Sequence, residues 1–411
     1  MALLRLPVLL ASVSWVLFAD PSFYLKSGDH VVFYGDSITE QRLYTLYTET
    51  YVVTRFPEMK VSFVHSGWGG DKVSGGHGGP IDKRLERDVF PYDPTVVTIM
   101  LGMNDGGYRA LDEALFEAYR NGYEHIIESL KSHVPGVRIT AIQPSPFDDV
   151  TQPPRFAGGY NAVLLKYSEF VRDLAKRQGL SLADLNGPVV ASLKRAKTKD
   201  PELAKKIIPD RVHPGAAGHL LMAEALLKAW HAPPVVSEIE IDCNSGSVKA
   251  SRNARVQDLK ALSWTATENA LPFPIDWTDA TVKLAMDSSD FVDALNLEML
   301  RVSGLQAGKW ELRIDDAAVG SFTAQELEKG VNLALLSTPM TKQAADVLAL
   351  TKKHTDLHQT RWRNIQVPLE TDTTPDKETV MKLIDRLEAD VVAQQQKAAQ
   401  PVSHKFELIH Q

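Results

Sequence analysis

The stretch Val31-Val32-Phe33-Tyr34-Gly35-Asp36-Ser37-Ile38-Thr39-Glu40 constrains the fold of this chain more than any other. Its uncharged apolar start reads as a buried strand, and the run stops abruptly at Gly-Asp-Ser. A helical pattern then extends from Thr39 to Phe56. A serine at such a junction stands beside the first N–H groups of a helix, which have no intrahelical partner and point outward. Two uses fit that position. Ser37 can cap the helix, with Glu40 closing a capping box. Its hydroxyl can instead be a nucleophile, set beside donors that stabilise a carbonyl oxygen as it turns negative. The stretch alone leaves both open.

The segments that follow alternate between strand and helix. Lys60 to His65 is predicted as a strand, and Ser66-Gly67-Trp68-Gly69-Gly70-Asp71 opens a glycine-rich loop continuing through Gly79. Such loops let backbone N–H groups approach a ligand, although the spacing matches neither a Walker loop nor a dinucleotide fingerprint. Pro94 to Leu101 is apolar almost throughout, as in a sheet covered on both faces, and ends at Gly102-Met103-Asn104-Asp105. Helical periodicity over 111–134, 159–178, 189–206 and 216–230 alternates with strands at 137–143 and 180–185. This order predicts an α/β, doubly wound parallel sheet, whose ligands sit beyond the strand ends. Between the last two helices, Asp210 and His213 are three positions apart on a loop, a spacing at which a carboxylate can orient an imidazole. The pair also suits a surface turn or, with His219, a metal site.

From Pro233 the texture changes. Val235 to Ile241 alternates like a half-buried strand, with further candidate strands at 281–284, 310–314 and 318–322. Helices are predicted over 341–358 and 377–397, and the last dozen residues read as mobile. The expected organisation is a signal peptide over 1–19, a catalytic-type α/β domain over 20–232, a smaller β-rich or α+β appendage over 233–375, and a charged helix and tail over 376–411. Arg361-Trp362-Arg363 suits either sugar stacking or packing with solvated charge.

Composition sets the outer bounds. With 411 residues, 44% hydrophobic and 24% charged, the chain can bury a large core and divide into two domains. A formal net charge of -7 argues against nucleic-acid or anionic-membrane partners, which call for a basic face. Arg5 followed by the apolar run Leu6 to Phe18 reads as an export signal cut after Ala19, too short for a stable membrane span and implying a periplasmic or extracellular protein. Cys243 is the single cysteine, so no intramolecular disulfide or cysteine-rich metal site can form.

Taken together, Gly35-Asp36-Ser37, Gly67 to Gly70, Gly102 to Asn104, and Asp210 with His213 resemble in order and type the four motif blocks of the SGNH (GDSL) hydrolase family, over about Asp29 to Trp230. The resemblance implies a flavodoxin-like sheet and ester hydrolysis. It implies Ser37 as nucleophile, His213 as general base and Asp210 as the residue orienting it. The oxyanion hole would comprise the N–H groups of Ser37 and Gly70 and the side-chain amide of Asn104. Gly70 is chosen over its neighbours on the family's spacing before an acidic residue. His65 stands where the family often carries asparagine. The absence of Gly-x-Ser-x-Gly argues against an α/β-hydrolase elbow. No cofactor or metal is implied.

A carbohydrate O-acetyl ester is the expected substrate, favoured by export, the acidic surface and Trp68 in the glycine-rich loop. The alternatives are lysophospholipid, thioester or aryl-ester hydrolysis, or a non-catalytic glycan- or protein-binding protein. A histidine base ordinarily loses its free lone pair near about pH 6.5, so the rate should fall in mildly acidic buffer. The sequence does not specify the oligomeric state.

Overall fold

The structure, a computed structural model, describes residues 22–411; the expected signal peptide lies outside the described residues. Five parallel strands form the first sheet: β1 (His30–Gly35), β2 (Ser62–Gly67), β3 (Val96–Met100), β4 (Arg138–Ile142) and β5 (Ser181–Ala183). Their spatial order is β2-β1-β3-β4-β5, the flavodoxin-like doubly wound arrangement. Every position of β3 is buried, because helices cover both faces, which explains its unbroken apolar sequence. The register pairs Gly35 with Gly67 on one side and with Met100 on the other. The loops after β1, β2 and β3 therefore leave the sheet at one edge, where Ser37, Trp68 to Gly70 and Gly102 to Asn104 follow.

The helix predicted from Thr39 to Phe56 is two helices, Ser37–Glu40 and Leu43–Arg55. Arg42 between them is left-handed at φ 60°, and its guanidinium donates to the Thr355 carbonyl at 3.0 Å and to Asp356 at 3.1 Å. These distant bonds accompany a break that helical periodicity does not reveal. Another departure is Thr281 to Leu284, which lies within a helix, Ala280–Met286, rather than a strand. Asp279 caps it, accepting from the N–H groups of Thr281 and Val282.

Beyond Pro233 the chain builds two more sheets. The strands are β6 (Val235–Asp242), β7 (Ser247–Arg252), β8 (Ala254–Lys260), β9 (Ser263–Glu268), β10 (Leu297–Ser303), β11 (Lys309–Ile314), β12 (Ala317–Thr323), β13 (Val331–Asn332) and β14 (Ser403–His410). One sheet runs β8-β9-β14-β11-β12 and the other β13-β10-β6-β7. The final residues are thus ordered, contrary to expectation: β14 is the middle strand of its sheet, pairing with both β9 and β11. Its apolar residues alternate, so Phe406 and Leu408 are buried while Lys405 and Glu407 are not. Helices Pro339–Gln359 and Pro375–Ala398 pack together against the α/β half.

Two buried apolar clusters result. The first joins β1 to β4 to their covering helices and takes in Phe273, Phe291 and Leu295 from beyond Pro233. The second gathers Trp264, Leu300, Trp310 and Phe406 from the later sheets, with Val53 reaching it from the Leu43–Arg55 helix.

Candidate active site

Tight packing delivers Ser37 to the sheet edge. A β-carbon on Gly35 would lie 2.7 Å from the Met100 carbonyl, and one on Gly67 would lie 2.1 Å from the Glu40 nitrogen. Only glycine lets the Ser37–Glu40 turn settle onto the ends of β1, β2 and β3. Asp36, not Ser37, caps that turn: its side chain accepts from the Ile38 N–H at 3.0 Å. Glu40 points to Arg363, so no capping box forms and the Ser37 hydroxyl is left for another partner.

That partner is His213. Its Nε2 lies 2.8 Å from Ser37 Oγ, and its Nδ1 lies 2.7 Å from Asp210 Oδ2. The other Asp210 oxygen accepts from the N–H groups of His213 and Val212, at 2.7 and 2.9 Å. Burial works to raise the Asp210 carboxyl, but these hydrogen bonds outweigh it and hold the group below the usual carboxylate range. An ionised Asp210 keeps the proton on Nδ1 and leaves Nε2 to accept from the serine.

Donors converge from the second and third blocks. A β-carbon on Gly69 would be 3.9 Å from Ser37 Cβ, so this loop runs directly beside the serine. Gly70 sits at φ 80°. The turn closes by Asp71 N–H donating to the Trp68 carbonyl, and the Gly70 N–H has no backbone partner among the described residues. Asn104 donates through Nδ2 to the Asp71 carbonyl at 3.0 Å, while its Oδ1 accepts from the Tyr108 hydroxyl at 2.8 Å. These bonds fix its amide with the second Nδ2 hydrogen free. The structure therefore joins Ser37, His213 and Asp210 in one line and ties Asn104, through the Asp71 carbonyl, to the loop of Gly69 and Gly70 that runs beside the serine.

Other residues take different places. His219 accepts from the Tyr44 N–H through Nδ1 and bonds Gln41 through Nε2, so its ring is used inside the fold rather than beside Asp210. His65 is buried between Thr45 and Glu49. Trp68, whose place in the glycine-rich loop favoured a polysaccharide substrate, is only 7% exposed and covered by cations: the Arg363 guanidinium lies 3.3 Å from its ring centroid, with Arg84 and Arg87 at 5.1 and 5.0 Å. Trp362 is likewise buried, donating to Asp88 at 2.6 Å, so this ring packs against the α/β half, while Arg363 pairs with Glu40 and Arg361 with Asp385 of the Pro375–Ala398 helix. Asp36 and Asp105 lie beneath the site. Burial pushes both carboxyls up to about 7 despite backbone hydrogen bonds, and neighbouring acidic charge adds to the rise at Asp36.

A serine, an imidazole and a carboxylate joined in line at the carboxyl edge of a flavodoxin-like sheet define the class as a hydrolytic enzyme. A profile of the GDSL-like lipase/acylhydrolase family matches residues 33–221, and this segment makes the chain a carboxylic ester hydrolase similar to that family. An acetylxylan esterase of Geobacillus stearothermophilus is 25% identical over 229 residues, which are 50% of this chain and 94% of that protein. A solved structure described as a gut microbial diltiazem-metabolizing enzyme is 26% identical, with a TM-score of 0.83 over 94% of this chain and 98% of its own. Its likeness therefore extends through the sheets beyond Pro233.

Proposed function

We propose that this esterase removes O-acetyl groups from a carbohydrate through an acyl-enzyme on Ser37. The observation that carries the reading is the continuous line from Asp210 through His213 to Ser37. His213 Nε2 takes the hydroxyl proton as Ser37 Oγ bonds to the ester carbonyl carbon. The carbonyl oxygen becomes an anion facing the N–H groups of Ser37 and Gly70 and the amide of Asn104. When the tetrahedral intermediate collapses, the C–O bond to the alcohol breaks and His213 returns the proton to the departing oxygen. Water then gives its proton to His213, attacks the acetyl-serine, and releases acetate with the serine restored.

One relative is named an acetylxylan esterase, which supports an acetyl ester of a carbohydrate, and the other is described as metabolizing diltiazem. Residues 1–19 are proposed to direct export, which would place the enzyme where polysaccharide is met.

The test is acetate release from acetylated xylo-oligosaccharides by wild type and Ser37→Ala, alongside labelling by a fluorophosphonate. Release and labelling should both vanish in the folded variant. Acetate release that survives Ser37→Ala overturns the mechanism, and preference for long-chain p-nitrophenyl esters over acetylated oligosaccharides overturns the substrate.

A further inference from the structure

We propose that Arg363 is a specificity-determining residue of this site, contributed from outside the family segment, which hydrogen-bonds oxygen atoms on the alcohol portion of the ester. The proposal rests on the esterase reading above for its substrate.

Arg363 lies in the helical turn Thr360–Gln366. Its Nη2 donates to Glu40 Oε1 at 2.9 Å, and Glu40 is the third residue after Ser37. The other oxygen of Glu40 lies 2.7 Å from where a Gly69 β-carbon would be, and that same point is 3.9 Å from Ser37 Cβ. Guanidinium, Glu40, Gly69 and the serine thus form a continuous rim. The segment is anchored beside it, since Trp362 is buried against His358 and Trp68 and bonded to Asp88.

A guanidinium carries five N–H donors in a rigid fork. In Arg363 only Nη2 meets a protein acceptor among the described residues; Nε and Nη1 are not among the buried unpaired atoms, and the side chain is 22% exposed. Unengaged donors therefore face solvent at the rim. Stacking on Trp68 and pairing with Glu40 hold the fork in place, so little side-chain freedom remains to be lost when an acceptor docks. Of the other acids around Trp68 and Trp362, Asp71 is paired with Arg84, and Asp88 with Arg84 and Arg87.

Substrate chemistry then fixes what the fork can read. An acetyl group carries one carbonyl oxygen, which the oxyanion donors receive, and a methyl group with no acceptor. A second set of donors beside Ser37 is useful only to the alcohol, and a polyhydroxy alcohol supplies acceptors densely enough to be met there.

Steady-state kinetics of wild type, Arg363→Ala and Arg363→Lys on acetylated xylo-oligosaccharides and on p-nitrophenyl acetate test this. For Arg363→Ala, KM for the oligosaccharide should rise about tenfold, as expected for losing a charged hydrogen bond. Its kcat, and both constants for the aryl acetate, should stay within twofold, and Arg363→Lys should recover part of the KM. An unchanged oligosaccharide KM overturns the proposal, as does an equal loss of kcat on both substrates, which would make Arg363 merely structural. A folded wild type inactive on both substrates overturns the esterase reading itself, and this proposal with it.

Discussion

Glu49 and His354 form an ion pair of 2.8 Å in the protein interior although 305 positions separate them. Burial alone would raise the Glu49 carboxyl, but the His354 charge and hydrogen bonds from His354 and His65 hold it down at about 2. Burial would lower the His354 ring, but Glu49 and Glu388 push it up to about 10. Gln395 also donates to Glu49, so three long helices meet at one carboxylate.

The pair predicts a pH-dependent stability with a defined window. Glu49 contributes above its ordinary 4.5 and loses that contribution as pH falls toward 2; His354 contributes below its ordinary 6.5 and loses it as pH rises toward 10. Both contributions are complete only between those ordinary values. His354→Leu strands a buried carboxylate and should cost about 3–5 kcal/mol at pH 6. In thermal unfolding, the gap in Tm between wild type and variant should narrow from pH 6 to 10. A gap that stays constant refutes the assignment.

Glu268 and Glu298 present the opposite sign. Both are buried, and burial raises both carboxyls, with the charge of Glu268 adding at Glu298. The folded chain holds protons that the unfolded chain releases above about 4.5, so stability falls as pH rises past that value. Glu298→Gln should remove part of this slope, giving a Tm above wild type at pH 9. A variant no more stable than wild type at that pH contradicts the reading.

Asp210→Asn tests the orientation of the imidazole. The amide can still accept the two backbone N–H bonds through Oδ1, but its NH₂ faces His213 Nδ1 and favours the wrong tautomer. Acetate release should drop by up to about 10⁴-fold with the fold intact by circular dichroism. A loss under tenfold would remove Asp210 from the mechanism.

Asn104→Ala should act on kcat and leave KM nearly unchanged, because in the proposed mechanism the amide meets charge that develops only in the transition state. The expected loss is about 10²- to 10³-fold, measured as acetate release under saturating substrate. A rise in KM at constant kcat would instead make Asn104 a ground-state contact.

The α/β half was legible because each of its signals is local. The apolar run Val96 to Met100 announces a covered strand, and the blocks around Ser37, Gly70, Asn104 and His213 each carry their own residue types. What escaped depends on distance. Arg363 meets Glu40 across 323 positions, and nothing near either residue announces the other. The break at Arg42 was hidden for the same reason, since the atoms that hold it belong to Thr355 and Asp356. Strands β7 and β8 were missed because their side chains are largely exposed, which leaves no alternation to read. In Ser403 to His410 the alternation was present, but the segment's position obscured it.

The placement of β14 between β9 and β11 sets an order on biogenesis. Both neighbours leave the ribosome well before Ser403, and neither can meet its partner until the late strand threads between them. During that interval their edges stay open to other chains, so a polypeptide stalled short of Ser403 should be an aggregation hazard and a target for chaperones or proteases.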